Sequence, residues 1–185
     1  MHDTFEAVRP NVVQVFAVDT YEGRPYFAME YVEGESLTEL IHVSRRIDPK
    51  RAAQLIKEAA NGLAAAHAKD VIHRDIKPAN VMLLWLDDAS VEPMVKLVDF
   101  GLSSMDPQRD TLRGGTRSYM APEIIRGEKG APQSDMFSLG VTLYYALCGG
   151  LPFVPRTKDD PPPTEEDCRP PEPHRLNPEV PRALS

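Results

Sequence analysis

Three short motifs with acidic and amide side chains occur in a fixed order in the middle of the chain. They are His-Arg-Asp-Ile-Lys-Pro-Ala-Asn at 73–80, Asp-Phe-Gly at 99–101 and Ala-Pro-Glu at 121–123. The carboxylate of Asp75 can accept a proton from an attacking hydroxyl. The oxygens of Asn80 and Asp99 suit magnesium, a hard cation that prefers oxygen ligands. A base and two oxygen ligands in this order predict a site for phosphoryl transfer.

Each motif by itself also has an ordinary structural interpretation. A single Asp75 or Asn80 is explained by a turn, and a single Asp99 by the cap of a strand end. The spacing favours the catalytic interpretation, because Asn80 follows Asp75 by five residues and a second Asp lies downstream. Any one triplet arises readily by chance, so the specificity lies in the order of all three.

The three motifs resemble those of the eukaryotic-type Ser/Thr protein kinase family, over roughly residues 10–153. The resemblance implies an α+β fold, with a mostly helical large lobe and a strand remnant of the small lobe. It implies transfer of the γ-phosphoryl group of ATP to Ser or Thr hydroxyls of a protein substrate, with Mg²⁺ as metal cofactor. In the family pattern Asp75 is the catalytic base, and Lys77 contacts the γ-phosphate. Asn80 takes part in catalysis as a metal ligand together with Asp99.

The resemblance also implies where the adenine ring binds. Met29 takes the gatekeeper position of the hinge, and the backbone groups of Glu30 and Val32 hydrogen-bond the ring. Met82 takes the position under the ring. Two simpler alternatives remain open: the hinge stretch is the end of a strand, and Met82 is a buried strand methionine.

Residues 102–120 resemble the activation segment of the family, and their polar residues and glycines are typical of a mobile loop. Thr116 matches a family threonine that faces the peptide substrate. Glu123 has a family partner, a late large-lobe Arg, that we expect to be missing here. Asp135 resembles the Asp that holds the catalytic-loop backbone, although Ser134 and Asp135 together would also serve as a helix N-cap.

The sequence departs from the family pattern at the phosphate end of the nucleotide. It contains no Gly-x-Gly, and its first lysine is Lys50, after the hinge. The glycine-rich loop and the strand lysine that hold the phosphates in the family are therefore not found. We expect the central part of a kinase, truncated and weakly active by itself. The alternative is a non-catalytic, kinase-like interaction module, which has no chemical need for an intact base and metal pair.

Composition makes several classes of partner unfavourable. A net charge of −7 provides no basic field for nucleic acid or for an anionic membrane surface. No apolar run reaches the about 18 residues that a membrane span needs, and the N-terminus lacks a signal-peptide pattern. Cys148 and Cys168 form neither a metal-ligand spacing nor a disulfide framework. We therefore expect a cytoplasmic protein that binds no nucleic acid and has no membrane segment.

Hydrophobic patterns predict the elements before the catalytic loop. Residues 12–18 and 25–30 are rich in β-branched and aromatic residues and predict a hairpin. Asp48 and Pro49 predict the start of a long helix, since they offer an N-cap followed by proline in the first turn.

The elements after the catalytic loop follow from similar patterns. Short strands at 81–84 and 95–98 predict a second hairpin, which brings Asn80 and Asp99 to the same end. Residues 134–148 are apolar on nearly all sides and are followed by two glycines. This pattern predicts a buried helix that ends at the glycines.

The motifs and elements divide the chain into three expected segments. Residues 1–32 are a remnant of the small lobe and the hinge, and residues 33–153 are the large lobe with its catalytic loop and activation segment. Residues 154–185 are expected to be irregular. About one residue in three between Pro152 and Pro181 is proline, and such a stretch buries too little apolar surface to offset its ordering entropy.

The residue beside the catalytic Asp predicts a regulatory phosphorylation site. Arg74 offers a guanidinium to a phosphate on the activation segment, and Thr111 is the best-placed hydroxyl. A phosphate there would add about one to three charge-assisted hydrogen bonds and order the segment. Phosphopeptide mapping of an active form is expected to find Thr111 modified. Full activity of Thr111→Ala, or complete modification only elsewhere, would contradict this prediction.

Overall fold

The computed structural model describes residues 10–22, 24–85, 92–100, 116–153 and 169–184. Its strands are β1 Val15–Tyr21, β2 Arg24–Met29, β3 Glu35–Ser36, β4 Val81–Leu84 and β5 Met94–Leu97. Its α-helices are α1 Leu37–Ser44, α2 Pro49–His67, α3 Pro122–Ile125, α4 Pro132–Cys148 and α5 Pro173–Leu176. Short 3₁₀ turns lie at Pro78–Asn80, Thr116–Tyr119 and Arg182–Leu184. The expected α+β architecture is confirmed.

The long helix α2 begins where the sequence predicts. The Asp48 side chain accepts a hydrogen bond from the backbone N–H of Arg51 at 2.9 Å, and Pro49 occupies the first turn. A proline there loses no intrahelical hydrogen bond. The buried stripe of the helix consists of apolar residues at helical spacing: Ala52, Leu55, Ile56, Ala59, Leu63 and Ala66.

The described strands form two separate antiparallel sheets. β1 pairs with β2 as the predicted hairpin, and β3, β4 and β5 pair in that order. In the second sheet Val81 lies opposite Leu97, and the N–H of Val98 donates to the carbonyl of Asn80 at 3.1 Å. The predicted second hairpin is thereby confirmed, and it places Asn80 and Asp99 just beyond the same end of the sheet.

The β1–β2 hairpin exposes large apolar side chains. Phe16 is 64% exposed and Tyr21 is 69% exposed, and Val18 and Tyr26 are also exposed. Among the described residues, the two strands pair only with each other.

The hydrophobic core lies where α1, α2, α4 and the β3–β4–β5 sheet meet. The helix α4 begins at Pro132, two residues before the predicted start, because proline is favourable in a first helical turn. It ends at Gly149, whose φ of 70° is the left-handed conformation expected of a C-terminal glycine. Within the described ranges, no helix is both long enough and apolar enough to cross a membrane.

The C-terminal part differs from the expected irregular segment. Residues 154–168 lie outside the described residues, but α5 and a 3₁₀ turn form within 169–184. The Asn177 side chain donates to the carbonyl of Leu147 at 2.8 Å, and Val180 is buried in the core. This contact satisfies a carbonyl that the end of α4 leaves without an intrahelical partner. The division into three segments stays a prediction.

The core predicts a stability difference between two positions of α2. Leu63 is fully buried, so Leu63→Ala is expected to lower the free energy of unfolding by about 2–5 kcal/mol. The matched control Lys57→Ala, on the exposed face of α2, is expected to change it by less than about 0.5 kcal/mol. Urea unfolding followed by circular dichroism measures both. Equal effects would show that α2 does not pack as described.

Candidate active site

The catalytic loop is held by one buried carboxylate, that of Asp135 in α4. Its Oδ1 accepts a hydrogen bond from the backbone N–H of Arg74 at 2.8 Å. Its Oδ2 accepts from the backbone N–H of His73 at 2.9 Å and from Nε2 of His67 at 2.7 Å. Arg74 has a φ of 66°, a left-handed conformation that residues other than glycine rarely adopt. Asp135 therefore stabilises a backbone conformation that the loop would not favour by itself.

This geometry decides between the two interpretations of Asp135. Ala131 is the N-cap of α4, so Asp135 lies inside the helix and the N-cap interpretation is wrong. The Ser134 hydroxyl accepts from the N–H of Ala131 at 3.3 Å and donates to Oε1 of Glu123 at 2.7 Å. In the described part of the chain, Glu123 is thus bonded to a hydroxyl where the family pattern uses an Arg.

The two carboxylate oxygens of Asp75 differ in their hydrogen-bond partners. Its Oδ2 accepts from Nζ of Lys77 at 2.7 Å and from Nδ2 of Asn80 at 3.1 Å. Its Oδ1 is buried and meets no hydrogen-bond donor among the described residues. A buried acceptor without a donor is costly, so this oxygen still lacks a partner in the described part of the chain.

The side chain of Asn80 is oriented by the same residue. Its Nδ2 also donates to the backbone carbonyl of Asp75 at 2.7 Å, so both described bonds use the amide nitrogen. The amide oxygen of Asn80 takes part in neither of these two bonds. Asp99 follows β5 with a φ of 64°, another left-handed residue at this site. An amide oxygen and a carboxylate are the ligand types that Mg²⁺ prefers, so the donor set fits this ion.

A neutral histidine links the catalytic loop to the strand that carries Asp99. His73 is fully buried, and its Nε2 donates to the carbonyl of Val98 at 2.9 Å. Its Nδ1 accepts from the N–H of Asp75 at 3.3 Å. Burial lowers the pKa of His73, and the opposing effects of Asp135, Val98 and Asp75 do not overcome it. The Phe100 ring lies 4.3 Å from the imidazole, so the first two motifs are in direct contact.

The predicted hinge lies beside the β3–β4–β5 sheet. Met29 ends β2, and Glu30 and Val32 follow it outside any strand. The Glu30 carboxylate accepts from Nζ of Lys96 at 2.5 and 2.6 Å and from the N–H of Gln14 at 2.8 Å. Burial raises the pKa of Glu30, but these hydrogen bonds outweigh it and hold the pKa below its usual value.

Met82 lies on the sheet face that points towards the hinge. It is paired with Lys96 across β4 and β5, and cross-strand partners share a face. Since Lys96 is bonded to Glu30, this face is the one next to the hinge. Met82 is only half-buried, in contrast to the buried Val81 and Leu83 on the opposite face. The position is compatible with the predicted contact under the adenine ring.

The activation-segment residues are placed only in part. Thr111 lies outside the described residues, and Thr116 starts the 3₁₀ turn Thr116–Tyr119. The Arg74 side chain lines a cavity of about 210 Å³ together with Glu128.

Burial, with a smaller effect of Tyr145, raises the pKa of Tyr119 to about 12, so this hydroxyl stays protonated. The regulatory roles of Arg74, Thr111 and Thr116 stay predictions.

The sequence did not reveal two polar residues that bond to this region, His67 and Lys96. His67 follows Leu63 by four residues, so it continues the buried stripe of α2. A polar side chain on that stripe is a signal for a buried partner. Lys96 gave a similar signal, since it is a charged residue inside a short strand of a covered sheet. Neither signal identifies the partner.

The protein kinase domain family matches residues 1–170. The chain belongs to the protein kinase family. Its relatives include a protein named serine/threonine-protein kinase PknB in three mycobacteria. The Mycolicibacterium smegmatis relative is 36% identical over 160 residues, which is 83% of this chain and 23% of the relative.

Two further relatives carry the same name. The Mycobacterium tuberculosis protein is 37% identical over 157 residues, and the Mycobacterium leprae protein is 35% identical over 156 residues. Each alignment covers 78% of this chain and 24% of the relative. This chain therefore spans about a quarter of the length of the curated relatives that it matches.

The buried His73 predicts that acid destabilises the fold. Because the pKa of His73 is lower in the folded state than the unfolded value near 6.5, the unfolded chain binds more protons at acidic pH. The free energy of unfolding is therefore expected to fall as the pH drops below about 6.5. Urea unfolding at pH 7.5 and about 5.5 measures the difference.

Two variants test whether His73 causes this pH dependence. In His73→Gln the loss of stability between the two pH values is expected to shrink. The control His42→Gln, on the exposed part of α1, is expected to keep the wild-type loss. An unchanged pH dependence in His73→Gln would show that His73 is not the group responsible.

Proposed function

We propose that this protein transfers the γ-phosphoryl group of ATP to Ser or Thr hydroxyls of a protein substrate. One observation carries the proposal: Oδ2 of Asp75 is occupied by Lys77 and Asn80, whereas Oδ1 has no donor among the described residues. A carboxylate that is oriented through one oxygen can align a substrate hydroxyl with the other oxygen and accept its proton. In a loose phosphoryl-transfer transition state this proton is accepted late.

Lys77 supplies positive charge beside the base. Its ammonium lies 2.7 Å from the Asp75 carboxylate, so it sits where the hydroxyl and the transferred phosphoryl group would meet. Positive charge at that position stabilises the charge on the phosphoryl oxygens. A lysine two residues after the catalytic Asp also matches the Ser/Thr branch of the family, which favours Ser and Thr over Tyr as acceptors.

The metal and nucleotide roles follow from the placement of the remaining residues. We propose that the amide oxygen of Asn80 and the carboxylate of Asp99 hold Mg²⁺, which neutralises phosphate charge when bound. The backbone groups of Glu30 and Val32 would bind the adenine ring, with Met29 and Met82 beside it. We place the reaction in the cytoplasm, where ATP is available and the free thiol of Cys148 stays reduced.

The same observation argues against a non-catalytic interaction module. A binding module gains no stability from an unpaired buried oxygen on Asp75 or from left-handed residues at Arg74 and Asp99. Strained backbone conformations of this kind cluster at functional sites.

The proposal is tested with two variants of nearly unchanged shape. Magnesium-dependent labelling of a generic Ser/Thr protein substrate is measured for the 185-residue chain and for a form extended upstream in frame. The extended form is expected to be active and Asp75→Asn to lose about 10²-fold or more, because general-base catalysis contributes about that much. The control Asp70→Asn changes an exposed aspartate and is expected to retain activity.

The two forms are expected to differ. The sequence has no glycine-rich loop and no lysine before Lys50, so the short chain is expected to label substrate only weakly. Strong Asp75-dependent activity of the short chain would contradict this expectation. An extended form that binds a protein partner but shows no Asp75-dependent labelling would overturn the proposed kinase function.

A further inference from the structure

Lys96 makes an ion pair that the proposed catalytic roles do not use. Its Nζ lies 2.5 Å and 2.6 Å from the two carboxylate oxygens of Glu30. The Lys96 side chain is only 12% exposed and the Glu30 side chain 25% exposed, so the pair is largely shielded from water. A shielded, two-oxygen contact holds its geometry better than a surface ion pair.

The position of Lys96 in the sheet connects three parts of the nucleotide site. It lies on β5 opposite Met82, the predicted floor under the adenine ring. Three residues later the chain reaches Asp99, the proposed metal ligand. Its partner Glu30 is the first hinge residue after β2. The Lys96 side chain therefore joins the hinge to the β4–β5 pair, which contains Met82 and leads to the proposed metal ligand Asp99.

The hinge has few other attachments to this sheet in the described part of the chain. Glu30 exchanges two hydrogen bonds with Gln14, through its N–H and through its carboxylate, but Gln14 belongs to the base of the same exposed hairpin. That base is bound to β5 through the backbone of Val13 and Leu97 at 2.9 Å. The Lys96 ion pair is the direct link from the hinge itself to β5.

We propose that Lys96 is a positioning residue for the nucleotide. Through Glu30 it sets the distance between the hinge backbone and Met82, and thereby the affinity and base selectivity of the adenine slot. It does so without contacting the phosphates or the reacting atoms. This inference rests on the proposed ATP-dependent function and adds a residue that determines nucleotide recognition.

The opposite charges of Lys96 and Glu30 also affect the environment of the adenine site. With Glu30 in place, the Lys96 ammonium is neutralised next to the surface that receives an uncharged purine. Removal of either partner leaves a shielded charge without its counter-ion, which is more costly than the loss of both. The two single variants should therefore disturb the hinge at least as much as the double variant does.

The experiment measures nucleotide affinity of the whole 185-residue chain by titration calorimetry with ATP and with GTP, each in the presence of magnesium. Lys96→Met and Glu30→Gln are each expected to weaken ATP binding about 10-fold, because a charge-assisted hydrogen bond is lost. GTP binding is expected to change less, so the preference for ATP over GTP falls. Lys96→Arg, which preserves the charge, is expected to restore most of the affinity. The control Lys57→Met removes an exposed lysine from α2 and is expected to bind like the wild type.

The double variant Lys96→Met/Glu30→Gln tests whether the two residues act as one pair or independently of each other. A loss no larger than that of a single variant supports the proposal, whereas additive losses overturn it. Melting temperatures without nucleotide are recorded for all variants, since a purely structural role would lower them and leave the ATP-to-GTP ratio unchanged. If Lys96→Met does not fold, Lys96→Gln and Glu30→Gln provide the same comparison.

The outcomes distinguish this inference from the proposed function. A wild-type chain that binds ATP, together with a Lys96→Met variant of equal affinity and equal base preference, overturns only the role of Lys96. A wild-type chain and an upstream-extended form that both fail to bind ATP overturn the proposed function, and the inference with it.

Discussion

The geometry of the site depends on the buried carboxylate of Asp135. It accepts hydrogen bonds from two successive N–H groups of the catalytic loop and from the imidazole of His67. Without this acceptor, each N–H left buried and unpaired would destabilise the fold by about 1–3 kcal/mol. The left-handed backbone conformation of Arg74 would then lack the hydrogen bond that stabilises it. Because Asp135 lies in α4, whose packing forms much of the core, the position of Asp75 is set by a largely buried helix.

The hydrogen-bond network continues through His73, which connects the catalytic loop to the segment that precedes Asp99. Its neutral ring accepts from the N–H of Asp75 and donates to Val98, and it contacts Phe100. Asp75, the proposed base, and Val98, which precedes Asp99, are thus bonded to one imidazole. This arrangement requires an uncharged ring, which burial favours. The proposed base and the proposed metal ligand are therefore held by the same imidazole, and such fixed positioning is what the proposed reaction needs.

The nucleotide side is built differently. The hinge follows an exposed two-stranded hairpin, and an isolated hairpin of this kind is only marginally stable in water. The segment before it is bonded to β5 through Asn11 and Val13, and the hinge is bonded to β5 through the Lys96–Glu30 pair. The two halves of the site therefore differ in local stability: the base and metal side belongs to the core, and the adenine side is held by a few polar contacts.

The sequence by itself determined the three motifs, the family they resemble and most element boundaries, because these depend on residues close together in the chain. Asp48 caps α2 three residues away, and Gly149 ends α4 by its own conformation. Only the tertiary structure decided which polar residues serve the site. His67 meets Asp135 across 68 positions, and Glu30 meets Lys96 across 66. Such partners leave no local pattern, since a charged residue on a buried face signals that a partner exists but not which segment the fold brings to it.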